Sequence, residues 1–275
     1  MIRLVAMALV TAVAIPLSAA PLRVASLDLC ADELALRLAA PGQLISVSWL
    51  GADPAETTLS ARAAGLARNR GRLSDVAGLA PDLILTSNGI GGDIAATLAR
   101  RLGTRIVAIP PASTVSGVRA NIRLIAAALE RPAAGEAEVA RFNTALGLVP
   151  GRPVSAVMIG ASGSTPRADG LAADYLRYAG LRLTGGGSVR LEALLATPPA
   201  VVVQTRYHPD ETSIGASWLR HPLWQRLPPK TQRLTSDGRP WTCLGPETAD
   251  TIAALRRSRS VALRGSFSRS MRVRG

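Results

Sequence analysis

The stretch AAGEAEVARFNTALGLV, residues 133–149, decides how the chain is read, because two similar units flank it. Val139, Phe142, Leu146 and Val149 recur at spacings of three, four and three, the signature of one face of an α-helix. Glu136 and Glu138 stand in the first turns, where the helix dipole favours negative charge, and Pro150-Gly151 ends the run. A helix over the whole stretch would be roughly 25 Å long at 1.5 Å per residue. Before it lies an α/β unit that begins LRVASL and contains PDLILTS; after it lies another that begins VSAVMIG and contains PAVVVQT. The repeated flanks favour a helical strut between two lobes over an ordinary core helix.

The 275 residues suffice for two lobes of ~100–150 residues each. In the N-terminal half, strand-like runs at Leu22–Leu27, Leu44–Val47, Leu83–Leu85 and RIVAI alternate with amphipathic helices at residues 31–40, 73–79, 92–102 and 115–129. The C-terminal half repeats the pattern. Strands VSAVMIG, AVVVQT and TQRLTS alternate with helices LAADYLRYAG, RLEALLAT, SWLRHPLWQRL and TADTIAALRR. Such alternation predicts parallel sheets. Ser74 stands seven residues before Pro81 in RLSDVAGLAPDLIL, and Glu192 seven before Pro199 in RLEALLATPPAVVV. Both units read as a short helix, a proline turn and a buried strand. The expected fold class is therefore α/β: two Rossmann-like lobes with parallel sheets, joined by a single long α-helix. The boundaries are 1–20 for a signal peptide, 21–132 and 151–258 for the lobes, 133–150 for the interlobe helix and 259–275 for a basic, disordered tail.

The signal peptide follows from MIRLVAMALVTAVAIPLSAA: one Arg, an apolar run from Leu4 to Ile15, then Pro16 and small residues. That run is short for a membrane span, so a soluble exported protein in the periplasm is expected. The formal charge of +13 does not point to nucleic acid. Lys230 is the only lysine, the arginines are scattered, and no zinc-finger or RNA-binding motif accompanies the basic end, RRSRSVALRGSFSRSMRVRG.

Catalysis lacks a recognisable constellation. His208 and His221 are the only histidines, and there is no Gly-x-Ser-x-Gly elbow, His-Glu-x-x-His or Gly-x-x-x-x-Gly-Lys. The expectation is no catalytic residue, no metal site of the protein's own and no cofactor. What stands out is where the aromatics fall. Trp49, Tyr207 and Trp241, three of nine aromatic residues, stand at predicted strand ends facing one cleft, where open α/β sheets bind ligands. Aromatic faces there suit a large, flat or partly apolar ligand. Asn69, Arg70, Asn88 and Arg206 are polar candidates beside them, with Leu29 and Cys30 in the loop after the first strand. Cys30 and Cys243 both sit in loops expected at the cleft. Export to an oxidising compartment predicts that they pair, with two separate reduced thiols as the alternative.

Taken in order, RVASLDLCADELALRLAAPGQLISVSWL, NRGRLSDVAGLAPDLILTS, VRANIRLIAAAL, LEALLATPPAVVV and HPLWQRL…WTCLGPETADTIAAL resemble the periplasmic substrate-binding proteins of ABC importers for iron–siderophore complexes and cobalamin. The likeness spans nearly all of residues 22–257. It implies two lobes bridged by one long helix and a metal-chelate or corrinoid ligand between them. The iron or cobalt would belong to that ligand. It also implies delivery to an ABC permease with its ATPase, by a protein expected to be a monomer. An acidic residue on each lobe of such proteins pairs with permease arginines. Glu192 matches on the C-lobe; the N-lobe position falls on Ser74, with Asp75 beside it. Two histidines make the branch that binds bare metal ions a poor match. A sensor-type binding protein and a two-lobed α/β enzyme are the alternative functions.

Overall fold

The computed structural model describes residues 20–87, 89, 92–160, 163–207 and 220–272. The signal-peptide stretch up to residue 19, Asn88, His208 and Trp218 lie outside the described residues. The N-terminal half holds β1 (Val24–Ser26), α1 (Leu29–Leu38), β2 (Leu44–Ser48), β3 (Ala67–Asn69), α2 (Leu73–Ala77), β4 (Leu83–Thr86), α3 (Asp93–Leu102), β5 (Arg105–Ala108) and α4 (Val115–Ala128). Helix α5 (Pro132–Leu146) leads to the C-terminal half. That half has β6 (Val154–Ile159), β7 (Ser164–Thr165), α6 (Leu171–Tyr178), β8 (Leu181–Leu183), β9 (Gly187–Ser188), α7 (Leu191–Ala196), β10 (Val201–Arg206), β11 (Gln232–Asp237), α8 (Pro240–Cys243) and α9 (Glu247–Arg272).

Two parallel sheets result. The first has the order β3-β2-β1-β4-β5 and the second β11-β10-β6-β8, while β7 and β9 form a small antiparallel pair. In each sheet the order turns back on itself, which leaves a crevice at the carboxyl ends of the strands. Side-chain alternation then divides the core. Val24, Leu83 and Leu85 of the first sheet and Ala156, Met158, Val201 and Val203 of the second belong to one continuous apolar core. Phe142 and Leu146 of α5 and Ile252 and Leu255 of α9 lie in it too. The neighbours in between face outward, Ala25 and Ile84 towards residues of α2 and α3, and Val157 and Val202 towards α7 and Trp224.

The interlobe helix is shorter than expected and does not stand alone. It starts at Pro132, whose ring suits the first helical position, and ends at Leu146, about 22 Å in all. Gly147 follows at φ +65, so Leu148 is 89% exposed and Val149 lies outside the helical face assigned to it. Helix α5 packs along α4 as a hairpin. A Cβ on Gly135 would come within 2.5 Å of the Ala126 methyl, so this crossing requires glycine.

The last helix also departs from expectation. No break occurs at residue 258: α9 continues to Arg272. Arg256 donates to the carbonyls of Ala145 and Leu146, and Arg259 to those of Ala179 and Gly180. These basic residues satisfy the carbonyls left open at and just beyond the C-terminal ends of α5 and α6. Part of the basic tail is therefore a structural cap, and its first residue, Arg259, is anchored.

Candidate functional site

On the N-lobe, buried polar side chains tie the strand-end loops to one another. Asp28 caps α1 by accepting from the Ala31 N–H at 3.1 Å, so Leu29 and Cys30 begin that helix and do not lie in a loop. Asp28 also accepts from the Thr86 hydroxyl at 2.9 Å and from the Ser87 hydroxyl at 2.5 Å, joining the ends of β1 and β4. Asp32 is fully buried and accepts from the backbone N–H and the hydroxyl of Ser48. Burial pushes its carboxyl up to about 6, against the lowering effect of the serine hydrogen bonds. A Cβ on Gly51 would strike Asp32, so the turn after β2 closes only over glycine.

Asn69 belongs to the same network. It is 3% exposed; its amide donates to the Ser26 carbonyl at 2.8 Å and the Ser46 hydroxyl at 2.9 Å, and its oxygen accepts from the Gly71 N–H. With three of its four bonding positions used inside the lobe, Asn69 staples strands and presents little to a ligand. Leu29 is likewise buried, at 6% exposure. Trp49, by contrast, is 52% exposed at the end of β2, and Arg70 is exposed after β3.

The C-lobe edge is more open. Arg206, Tyr207, Ser236, Asp237 and Arg239 at the ends of β10 and β11 line a cavity of 660 Å³ with Pro54 and Ala55 of the N-lobe. Tyr207 Oη donates to Glu56 Oε2 at 3.1 Å across the lobes and lies 2.9 Å from the Thr242 hydroxyl. Burial, with Glu56 accepting its proton, pushes the phenol above its ordinary value. Tyr207 is thus a neutral donor here, unsuited to act as a phenolate. Arg239 holds Asp237 through both carboxylate oxygens, at 2.6 and 3.1 Å, and donates to the Pro54 carbonyl at 2.7 Å. Burial raises the Asp237 carboxyl, but its bonds from Arg239 and that charge outweigh burial, so its net shift is downward.

A smaller, mostly apolar cavity of 270 Å³ lies where Ile109, Pro110 and Val118 meet Leu171 and Leu244, walled by Cys30 and Cys243. Those cysteines are joined by a disulfide between the lobes, with Cα atoms 5.2 Å apart. Cys30 stands in the first turn of α1 and Cys243 is the last residue of α8, so neither cysteine lies in a loop. Trp241 lines neither of these two cavities: its indole N–H donates to the Ser236 hydroxyl at 2.8 Å and its ring packs on the shared core. Asp75 and Glu192 are both exposed in the first turns of α2 and α7, and Asp75 also accepts from the backbone N–H groups of Arg70 and Arg72. Sequence reading missed Glu56 and Arg239. The only trace of the latter was Asp237-x-Arg239 in the loop that carries Trp241.

Among solved structures, the chain is similar to a periplasmic heme-binding protein, BhuT, in complex with two hemes. The identity is 22% and the TM-score 0.63, over 86% of this chain and 96% of that one. It is also similar to RhuT, a periplasmic heme-binding protein from Roseiflexus sp. RS-1 in apo form, at 16% identity and TM-score 0.65, over 86% and 97% of the two chains. A third is a periplasmic heme-binding protein from Pseudomonas aeruginosa, at 18% identity and TM-score 0.57, over 87% and 92%. This chain has the fold of the periplasmic binding proteins. No protein-family model matches it, and no curated protein does. Among the described residues, no helix of this binding-protein fold is long and apolar enough to cross a membrane, and no group of three or more His, Cys, Asp or Glu could hold a metal ion.

Proposed function

We propose that this protein is the periplasmic solute-binding component of an ABC importer and that its cargo is a flat, anionic metal chelate of the heme type. The 660 Å³ cavity carries this reading: it lies at the carboxyl ends of β10 and β11 and has the exposed Arg206 on its wall, beside an Arg239 already held by Asp237 and the Pro54 carbonyl. Guanidinium groups suit carboxylates such as those a heme bears, because their planar donors match two oxygens at once. The volume lies within the usual range for small-molecule sites. Heme also agrees with what the structurally similar proteins bind by their descriptions. Trp49, exposed at the end of β2, offers a ring against which a planar ligand could stack. Delivery would be to a permease with its ATPase, docked through Glu192 and, on the N-lobe, Asp75.

Titration of the purified protein with hemin, a ferric siderophore and cobalamin tests the reading, followed by visible absorbance and tryptophan fluorescence. Saturable binding of hemin, weakened about tenfold or more by Arg206→Ala, is expected; loss of one charged hydrogen bond is worth ~1.5–3 kcal/mol. Tighter binding of the siderophore or cobalamin would keep the importer role and replace the cargo. Binding of none of the three would remove the chelate reading.

A further inference from the structure

Beneath the interlobe cysteines, two carboxylates from opposite lobes are buried with one oxygen each left over. Glu33 follows Cys30 by one turn on α1 and is 2% exposed; Glu247 opens α9 and is 3% exposed. Glu33 Oε1 accepts from the Thr57 hydroxyl at 2.9 Å, and Glu247 Oε1 accepts from Arg37 Nε. Glu33 Oε2 and Glu247 Oε2 have no hydrogen-bond partner among the described residues. Both border one spot, since a Cβ on Gly245 would lie 3.5 Å from the Glu247 atom and 3.7 Å from the Glu33 atom. Two ionised oxygens have only lone pairs to offer each other. A single proton between them would satisfy both.

The surrounding charges favour that proton. Asp32 and Arg37 come from α1, Glu138 and Arg141 from α5, Asp250 from α9, and the phenols of Tyr175 and Tyr207 from the C-lobe. Carboxylates predominate in this group, and the guanidiniums are committed. Arg37 pairs with Glu247, Glu138 and Asp250, and Arg141 pairs with Glu138 and Asp250. Neither forms an ion pair with Glu33. An isolated buried carboxylate is costly and takes up a proton instead.

We infer that Glu33 and Glu247 form a carboxyl–carboxylate pair across the lobes, Glu33 Oε2–H donating to Glu247 Oε2, which holds this lobe contact at neutral pH and loosens it as pH rises. Burial first, then the charge of Glu247, pushes Glu33 from 4.5 up to about 8; Glu247 is raised as well, by burial, with Arg37 opposing. The shared proton belongs to the pair. Between about 4.5 and 8 the folded protein keeps a proton that the unfolded chain gives up, so stability falls as pH rises through that window. Above it, two like charges face each other beside the Cys30–Cys243 disulfide.

Glu33→Gln supplies a test, because its amide can donate to Glu247 and accept from Thr57 without titrating. Thermal unfolding of the disulfide-bonded protein would be compared between about pH 7 and pH 9, above the range where Asp32 titrates. The wild-type melting temperature is expected to fall across this range and that of Glu33→Gln to fall less. Infrared spectra of the wild type at neutral pH should also show a protonated-carboxyl C=O band that disappears with a midpoint near 8 and is missing in Glu33→Gln. Parallel melting curves together with no such band in the wild type would overturn the pair. The infrared band alone decides the matter if the variant fails to fold.

Discussion

The two edges of the cleft are built on opposite plans. On the N-lobe, Asp28, Asp32 and Asn69 turn their polar atoms inward and bond the ends of β1, β2, β3 and β4 into one network. On the C-lobe, Arg239 grips Asp237 and Tyr207 bonds to Glu56 and Thr242 at the wall of an open cavity, where Arg206 stands exposed. The first plan buries its paired side chains for rigidity; the second keeps its pairs at an open wall and leaves Arg206 for recognition. Stability should therefore depend on the N-lobe edge, and ligand discrimination on the C-lobe edge.

The largest effect should come from the bond that joins the two edges. Replacing Cys30 and Cys243 by serine is expected to cost ~3–5 kcal/mol, because the cross-link closes a loop of 213 residues. Denaturant unfolding with and without reductant reads it. A loss well under this range would mean that the shared core and the contacts Tyr207–Glu56, Arg239–Pro54 and Arg37–Glu247 hold the edges together without the cross-link.

Next in size is the contrast itself. Asp32→Ala strips the acceptor from a buried N–H and hydroxyl of Ser48 and should cost ~2–3 kcal/mol. Arg206→Ala, at an exposed position, should stay within ~0.5 kcal/mol of wild type while weakening ligand binding. Equal losses from the two variants would erase the distinction between a structural edge and a recognition edge.

Acid titration sharpens it further, because the two aspartates carry shifts of opposite sign. The folded pKa of Asp32 is about 6 against an unfolded 3.8, so its favourable contribution is complete at acid pH and is lost as pH rises through about 6. Asp237 is lowered, so its contribution is present above the unfolded value and is lost as pH falls through the folded one. Asp32→Asn should flatten the decline in melting temperature between about pH 4 and 6, and Asp237→Asn should flatten only the loss at stronger acid. The same slope in both variants would contradict the assignment.

The smallest effect on the isolated protein belongs to the outer surface. Glu192→Ala should leave stability and ligand affinity unchanged, since the side chain is exposed on α7, and should lower permease-dependent uptake. Asp75→Ala should differ by ~1 kcal/mol of stability, because its carboxylate also caps α2. Unaltered uptake in both variants would separate these acids from docking.

What local sequence determines about this protein is its periodicity. The 3.6-residue repeat of α4 and the apolar runs of β4, β6 and β10 follow from burial of one helix face and of both strand faces, so helices, strands and the two-lobe plan were readable. Helix ends were less so. Leu29 joined α1 because Asp28 caps it, and Val149 left α5 because Gly147 turned the chain. The direction of polar side chains was decided by tertiary structure alone. Asn69 and Arg70 are neighbours at one strand end, yet Asn69 is consumed by Ser26 and Ser46 of adjacent strands while Arg70 stays exposed. The approach of Glu33 to Glu247, of Tyr207 to Glu56 and of Cys30 to Cys243 depends likewise on how the lobes meet, because groups far apart in sequence interact only once the shared core between the sheets has brought them within a few ångströms.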